Sequence, residues 1–130
     1  MIDQPGYLGY RPFLSYARLD QELALRLAAA LRARGLDPWI DIAELRPGQE
    51  WEGVVERAVA ESTSVIVLCT PRLVPKQLRR EWDFARWHGV TIVPVLWGVT
   101  DPPDPLAGLH PIMSNRVIED LADTLYELSG

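Results

Sequence analysis

The sequence predicts an α/β domain in which short apolar strands alternate with amphipathic helices around a parallel sheet. Three observations carry this expectation. The segment Ser64 to Cys69, SVIVLC, is apolar on both faces, as a central parallel strand covered by helices must be. Helix-forming stretches with apolar residues three and four apart lie between the strand-like segments. The connections are short, which calls for right-handed crossovers between parallel strands. The chain has 130 residues, enough for one domain and too few for two.

Each element follows in order. Pro12 to Tyr16, PFLSY, is short, apolar and aromatic and reads as a buried first strand. Asp20 is placed to cap the helix that follows. That helix carries Leu23, Leu27, Ala30 and Leu31 on one face, and Gly35 ends it in a left-handed C-cap. Leu36 to Ile40, LDPWI, reads as a second strand, put at the sheet edge because Pro38 has no N–H to donate.

Asp41 to Gln49 is a loop with a turn at Pro47-Gly48. A helix resumes with Trp51, Val54, Val55, Ala58 and Val59 inward. Ser64–Cys69 is the third strand, and Lys76 to His88 is a helix stopped by Gly89. Thr91 to Leu96 is the fourth strand, weakened by Pro94. The Pro-rich stretch 101–111 allows one helical turn at most. Arg116 to Ile118 is expected as a short fifth strand, and Glu119 to Leu128 as the last helix.

Composition removes several function classes. The formal charge is −5, with 13 basic and 18 acidic residues, so the basic face that nucleic-acid binding needs is not expected. Lys76 is the only lysine. The arginine bias suits either anion gripping or a compositional habit of the genome. One cysteine, Cys69, excludes an internal disulfide, and with only His88 and His110 no zinc-ligand spacing exists. No membrane span and no secretory leader are read, so a cytoplasmic setting is expected. There is no GxGxxG after the first strand and no GxxxxGK[ST]. A receiver-type aspartate is missing where Cys69-Thr70 stands.

In parallel sheets ligands sit outside the carboxyl ends of the strands. That rule selects Ser15-Tyr16-Ala17-Arg18, the loop from Asp41, Cys69-Thr70-Pro71 and Trp97-Gly98. Within them, Trp39 and Trp97 suit ring stacking or core packing. Arg18 suits a phosphate or solvent, and Cys69 suits the core. Glu44 and Arg46 suit the site or plain solvation.

One carboxylate stands out. The inward face of the helix from Lys76 is Leu78, Glu81, Trp82 and Ala85, so Glu81 occupies a position suited to an apolar residue. Its helical neighbours at three and four residues, Gln77, Leu78, Phe84 and Ala85, include no cation. Either Glu81 has a function, or a cation from elsewhere, with Arg18 and Arg46 as candidates, satisfies it.

FLSYARLD at Phe13–Asp20, GLDPWID at Gly35–Asp41, ELRPGQEW at Glu44–Trp51, then SVIVLCTP, LRREWDFA and IVPVL together resemble the TIR (Toll/interleukin-1 receptor) domain, in its bacterial form. The resemblance implies a flavodoxin-like three-layer fold with a five-stranded parallel sheet over residues 10–130, with 1–9 as an N-terminal extension. It implies cleavage of NAD⁺ at the nicotinamide–ribose bond, with NAD⁺ as substrate and no further cofactor or metal.

Glu81 matches the family's catalytic glutamate, and Ser15, Tyr16, Arg18, Asp41, Glu44, Thr70, Gln77 and Trp97 are the expected substrate-binding residues. Self-association through the Asp41–Gln49 loop, a fused or separate sensor domain, and a role as effector in bacterial immunity or cell death are implied as well. The chain's end directly after a helix reads as a piece of a longer protein. Gln77 stands where bacterial members often carry Trp. A non-enzymatic TIR interaction module is the alternative, and a nucleoside deoxyribosyltransferase-like enzyme is a third reading.

Overall fold

The computed structural model describes residues 10–40 and 51–129. The N-terminal segment 1–9 and the loop expected over Asp41–Gln49 lie outside the described residues, and so do the site candidates Asp41 and Glu44.

Among the described residues, the strands are β1 (Pro12–Ser15), β2 (Ser64–Cys69), β3 (Thr91–Leu96) and β4 (Ile112–Met113). The helices are α1 (Gln21–Ala33), α2 (Trp51–Ala60), α3 (Pro75–Trp87) and α4 (Ile118–Ser129). Single 3-10 turns occupy Arg18–Asp20 and Asp104–Leu106. The sheet runs β1-β2-β3-β4 with every pair parallel. β2 is fully buried along its length, as its two-sided apolar pattern requires.

Five strands were expected and four form among the described residues. The fifth position is held by a single parallel bridge between Trp39 and Phe13 on the outer side of β1. Trp39 donates to the Pro12 carbonyl at 2.8 Å and accepts from the Leu14 N–H at 3.0 Å. Successive residues of an extended chain face opposite ways, so Pro38 turns its missing donor away from the sheet. The Trp39 ring stacks on Phe13 at 5.1 Å between centroids, which gives it a packing role.

The last strand also differs from expectation. Ile112–Met113 pairs with Val95–Leu96, whereas Arg116 has φ 65° and Ile118 already opens α4. Ser114 Oγ accepts the Arg116 N–H and Asn115 Oδ1 accepts the Val117 N–H, each at 3.0 Å. These side-chain turns take the donors a strand over 116–118 would have offered to a ladder.

Pro94 is accommodated for a geometric reason. Trp97 donates to β2 and Leu96 accepts from Ser114, so Pro94 faces the β4 side of β3. β4 pairs only from Val95 onward, and no ladder bond is lost.

Two cores flank the sheet. Leu14, Tyr16, Ile66, Leu68 and Val95 pack against α1 and α4. Phe13, Val65, Val67 and Cys69 pack against α2 and α3. Helix ends are set by glycine: Gly35 (φ 87°) and Gly89 (φ 70°) let Leu36 and Val90 donate back to Leu31 and Ala85. Arg34 then ties α1 to α4 through Glu119 and Asp123, both at 2.9 Å.

Ile66 lies at the centre of β2 with no exposed surface. Ile66→Ala should lower unfolding free energy by about 2–5 kcal/mol in urea denaturation. A loss below about 1 kcal/mol would contradict the placement of this core.

Candidate active site

Glu81 sits on α3 and is 4% exposed. The helix buries it because Leu78, Trp82 and Ala85 share its face and carry it against the sheet. A carboxylate removed from water needs donors of its own. One is the Ser15 hydroxyl, which donates to Glu81 Oε1 at 2.6 Å across 66 residues of sequence. That length is typical of a hydroxyl bonded to a carboxylate, one of the stronger hydrogen bonds in proteins.

Ser15 ends β1 and is 1% exposed. It is in phase with Phe13, so its side chain lies on the α3 side of the sheet. Its oxygen also accepts from the Trp82 indole Nε1 at 3.1 Å.

The other edge residues divide between the two faces. Thr70 and Trp97 lie on the α1 side, where Leu23, Arg26, Asp20 and Arg72 join them around an open cleft of about 420 Å³. Tyr16 is buried in the core of that same side. Arg18 is exposed on its 3-10 turn and Gln77 is exposed in the first turn of α3. The structure thus brings Ser15 to Glu81 on one face, and Thr70 to Trp97 on the other. Of the two cations named as alternative partners for Glu81, Arg18 is solvent-facing and Arg46 lies outside the described residues.

Asp20 does not cap α1 as expected; its side chain makes no cap bond. Its carboxylate, 2% exposed, accepts from Thr70 Oγ1 at 2.5 Å and from Arg72 Nη1 at 3.2 Å. A buried charge gains more from a cation and a hydroxyl than from a helix amide. Arg72 also donates its N–H to Thr70 Oγ1 at 3.1 Å, which closes the network around the loop after β2. Sequence reading missed this role because the partners lie 50 and 52 residues away.

Cys69 is 1% exposed, and burial pushes its thiol from an ordinary value near 9.0 up to about 11, a backbone hydrogen bond at Val95 acting against the rise. The neutral thiol is the form the fold favours. Among the described residues no three His, Cys, Asp or Glu side chains gather as a metal site requires. No described helix is long and apolar enough to cross a membrane.

A family model, the TIR domain, matches residues 13–127. No curated protein matches the chain. Three solved structures are similar to it. The TIR domain of the Toll-related receptor TRR-2 from Hydra magnipapillata has a TM-score of 0.71 at 17% identity, covering 91% of this chain and 96% of that one. A metazoan TIR-STING receptor from C. gigas has a TM-score of 0.71 at 23% identity, covering 100% of this chain and 42% of that one. The Clostridium botulinum CMP N-glycosidase BcmB has a TM-score of 0.61 at 18% identity, covering 88% and 97%. At these identities the likeness establishes a shared fold.

Two outcomes follow from these networks. Thr70→Val removes the hydroxyl donor from buried Asp20 and should cost about 1–3 kcal/mol in denaturant unfolding; an unchanged midpoint would show that the bond contributes nothing. The Cys69 thiol should resist a thiol reagent at pH 8 in the native state and react once the chain is unfolded. Its folded value is raised, so its contribution to stability is complete below about 9 and lost as pH rises toward about 11. Rapid native labelling at pH 8 would contradict that burial.

Proposed function

The chain belongs to the TIR-domain family, and on that premise we propose that it is an NAD⁺ nucleosidase, a glycohydrolase or cyclase, with Glu81 as the catalytic residue. The observation that carries the proposal is a carboxylate buried under the carboxyl edge of a parallel sheet and held there by a hydroxyl from the neighbouring strand.

The chemistry asks for little more. Nicotinamide departs from NAD⁺ with the bonding electrons of the N-glycosidic bond and becomes neutral, so it requires no proton. The ribose carbon left behind is oxocarbenium-like. The Glu81 carboxylate stabilises that charge and holds the ribose hydroxyls. Water then adds and releases a proton, giving ADP-ribose, or an adenine nitrogen adds and gives a cyclic product. One carboxylate is sufficient where the leaving group needs no acid, unlike the paired carboxyls of most glycosidases.

The described likeness to a CMP N-glycosidase supports the same bond class, an N-ribosyl linkage, and makes CMP a natural control substrate. Ser15 acts here by holding Glu81. Thr70 and Trp97, on the opposite face of the edge, are proposed as contacts for a more distant part of the nucleotide, and Tyr16, Arg18, Asp41, Glu44 and Gln77 as further substrate-binding residues. Self-association through the Asp41–Gln49 loop would switch the activity on, in an effector of a bacterial immune or cell-death system coupled to a fused or separate sensor.

A second reading, a TIR interaction module without catalysis, is favoured by one observation. Gln77, an exposed amide in the first turn of α3, supplies no aromatic ring beside the site.

Purified protein incubated with NAD⁺ across a range of protein concentrations should release nicotinamide at a rate that rises more steeply than linearly. Glu81→Ala should abolish release. Release undiminished in Glu81→Ala, or none from assembled wild type, would sink the proposal. Cleavage of CMP with NAD⁺ left intact would move the substrate assignment to a nucleoside monophosphate.

A further inference from the structure

Trp82 is wholly buried, and an indole N–H in that position needs an acceptor. The acceptor is Ser15 Oγ at 3.1 Å, the atom that donates to Glu81 Oε1 at 2.6 Å. Glu81 and Trp82 are adjacent on α3, yet both converge on one hydroxyl of β1. An indole nitrogen only donates, and a serine has a single proton. With an indole donor on one lone pair of its oxygen, Ser15 keeps its proton off the indole side and directs it at Glu81. Phenylalanine would keep an aromatic ring in the core, at the cost of a small void where the indole's five-membered ring had been, without fixing the hydroxyl.

We infer that Trp82 is a positioning residue, whose indole N–H locks the Ser15 hydroxyl onto Glu81 and so holds the carboxylate in its working orientation. The inference rests on the N-ribosyl cleavage proposed above and extends it to a residue that never touches substrate. The relay runs from the α3 core through the end of β1 and back to α3. Packing of the helix on the sheet therefore sets the aim of the carboxylate.

Trp82→Phe keeps one aromatic ring and removes the donor, and Phe84→Leu serves as the packing control. It should lower kcat for nicotinamide release by ~10-fold with KM unchanged, since small losses of alignment act on the chemical step. The double variant Ser15→Ala/Trp82→Phe should be no slower than Ser15→Ala alone, because both act through one path. Phe84→Leu, a buried substitution on the same helix, should lower the melting temperature and leave kcat in place.

A second readout does not depend on turnover. The Trp82 indole N–H resonance, identified by its loss in Trp82→Phe, should move in both Ser15→Ala and Glu81→Gln, while the other indoles stay. An unmoved resonance in Glu81→Gln overturns the relay, and this holds even if Trp82→Phe does not fold, because through-space contacts to Leu78 and Ala85 in the wild-type spectrum assign the same indole. Full kcat in a folded Trp82→Phe, or losses that add in the double variant, overturns the positioning role with the NAD⁺ reading intact. Wild type that releases no nicotinamide overturns the role together with that reading, and the indole shifts then report the hydrogen bonds alone.

Discussion

A carboxylate buried beneath the edge of a parallel sheet is a costly object, and the site is organised around meeting that cost. Burial of Glu81 follows from helix spacing, because Leu78, Trp82 and Ala85 drive the same face of α3 into the core. Its ionised form then needs donors within the fold. Ser15 is one, delivered by the strand end that the parallel topology places beneath the helix. Sheet order, helix phase and side-chain chemistry therefore meet at one oxygen atom.

The carboxyl edge has two faces with different characters. The α3 face holds Glu81, Ser15 and Trp82 in a buried relay. The α1 face holds Asp20, Thr70 and Arg72 in a second network beside Trp97 and an open cleft. Both contain a carboxylate less than one-twentieth exposed. Asp20 accepts from a guanidinium and a hydroxyl, whose placement braces the loop after β2, a structural assignment. Glu81 is bonded by a neutral hydroxyl, itself aimed by an indole. The TIR-domain family membership gives the second arrangement its proposed chemical meaning.

Much of the fold was legible because it is written in local periodicity. Ser64–Cys69, the face of α3 and the glycine ends at Gly35 and Gly89 are read from neighbouring residues alone. The errors fell where side chains compete for backbone donors or act over long range. Ser114 and Asn115 diverted the segment expected to be a strand over 116–118, and Trp39 alone paired where a full edge strand was expected. In the candidate site, Glu81 was legible as a polar residue on an apolar face. Its link to Ser15, the Asp20 network and the donor role of Trp82 were not, because each joins residues 50 or more positions apart. Spacing rules carry no information at that range. A buried tryptophan beside an inward glutamate was the one signal present, since its N–H had to end on some acceptor.

The proposed function turns on the Glu81 carboxylate acting on an N-ribosyl bond. The most direct measurement compares single-turnover nicotinamide release from NAD⁺ by wild type and by folded, NAD⁺-binding Glu81→Gln, which keeps the side chain's shape and removes its charge. Binding should persist while release falls by ~100-fold or more, the scale lost when a transition-state charge loses its stabiliser. Release at the wild-type rate from Glu81→Gln would contradict that function.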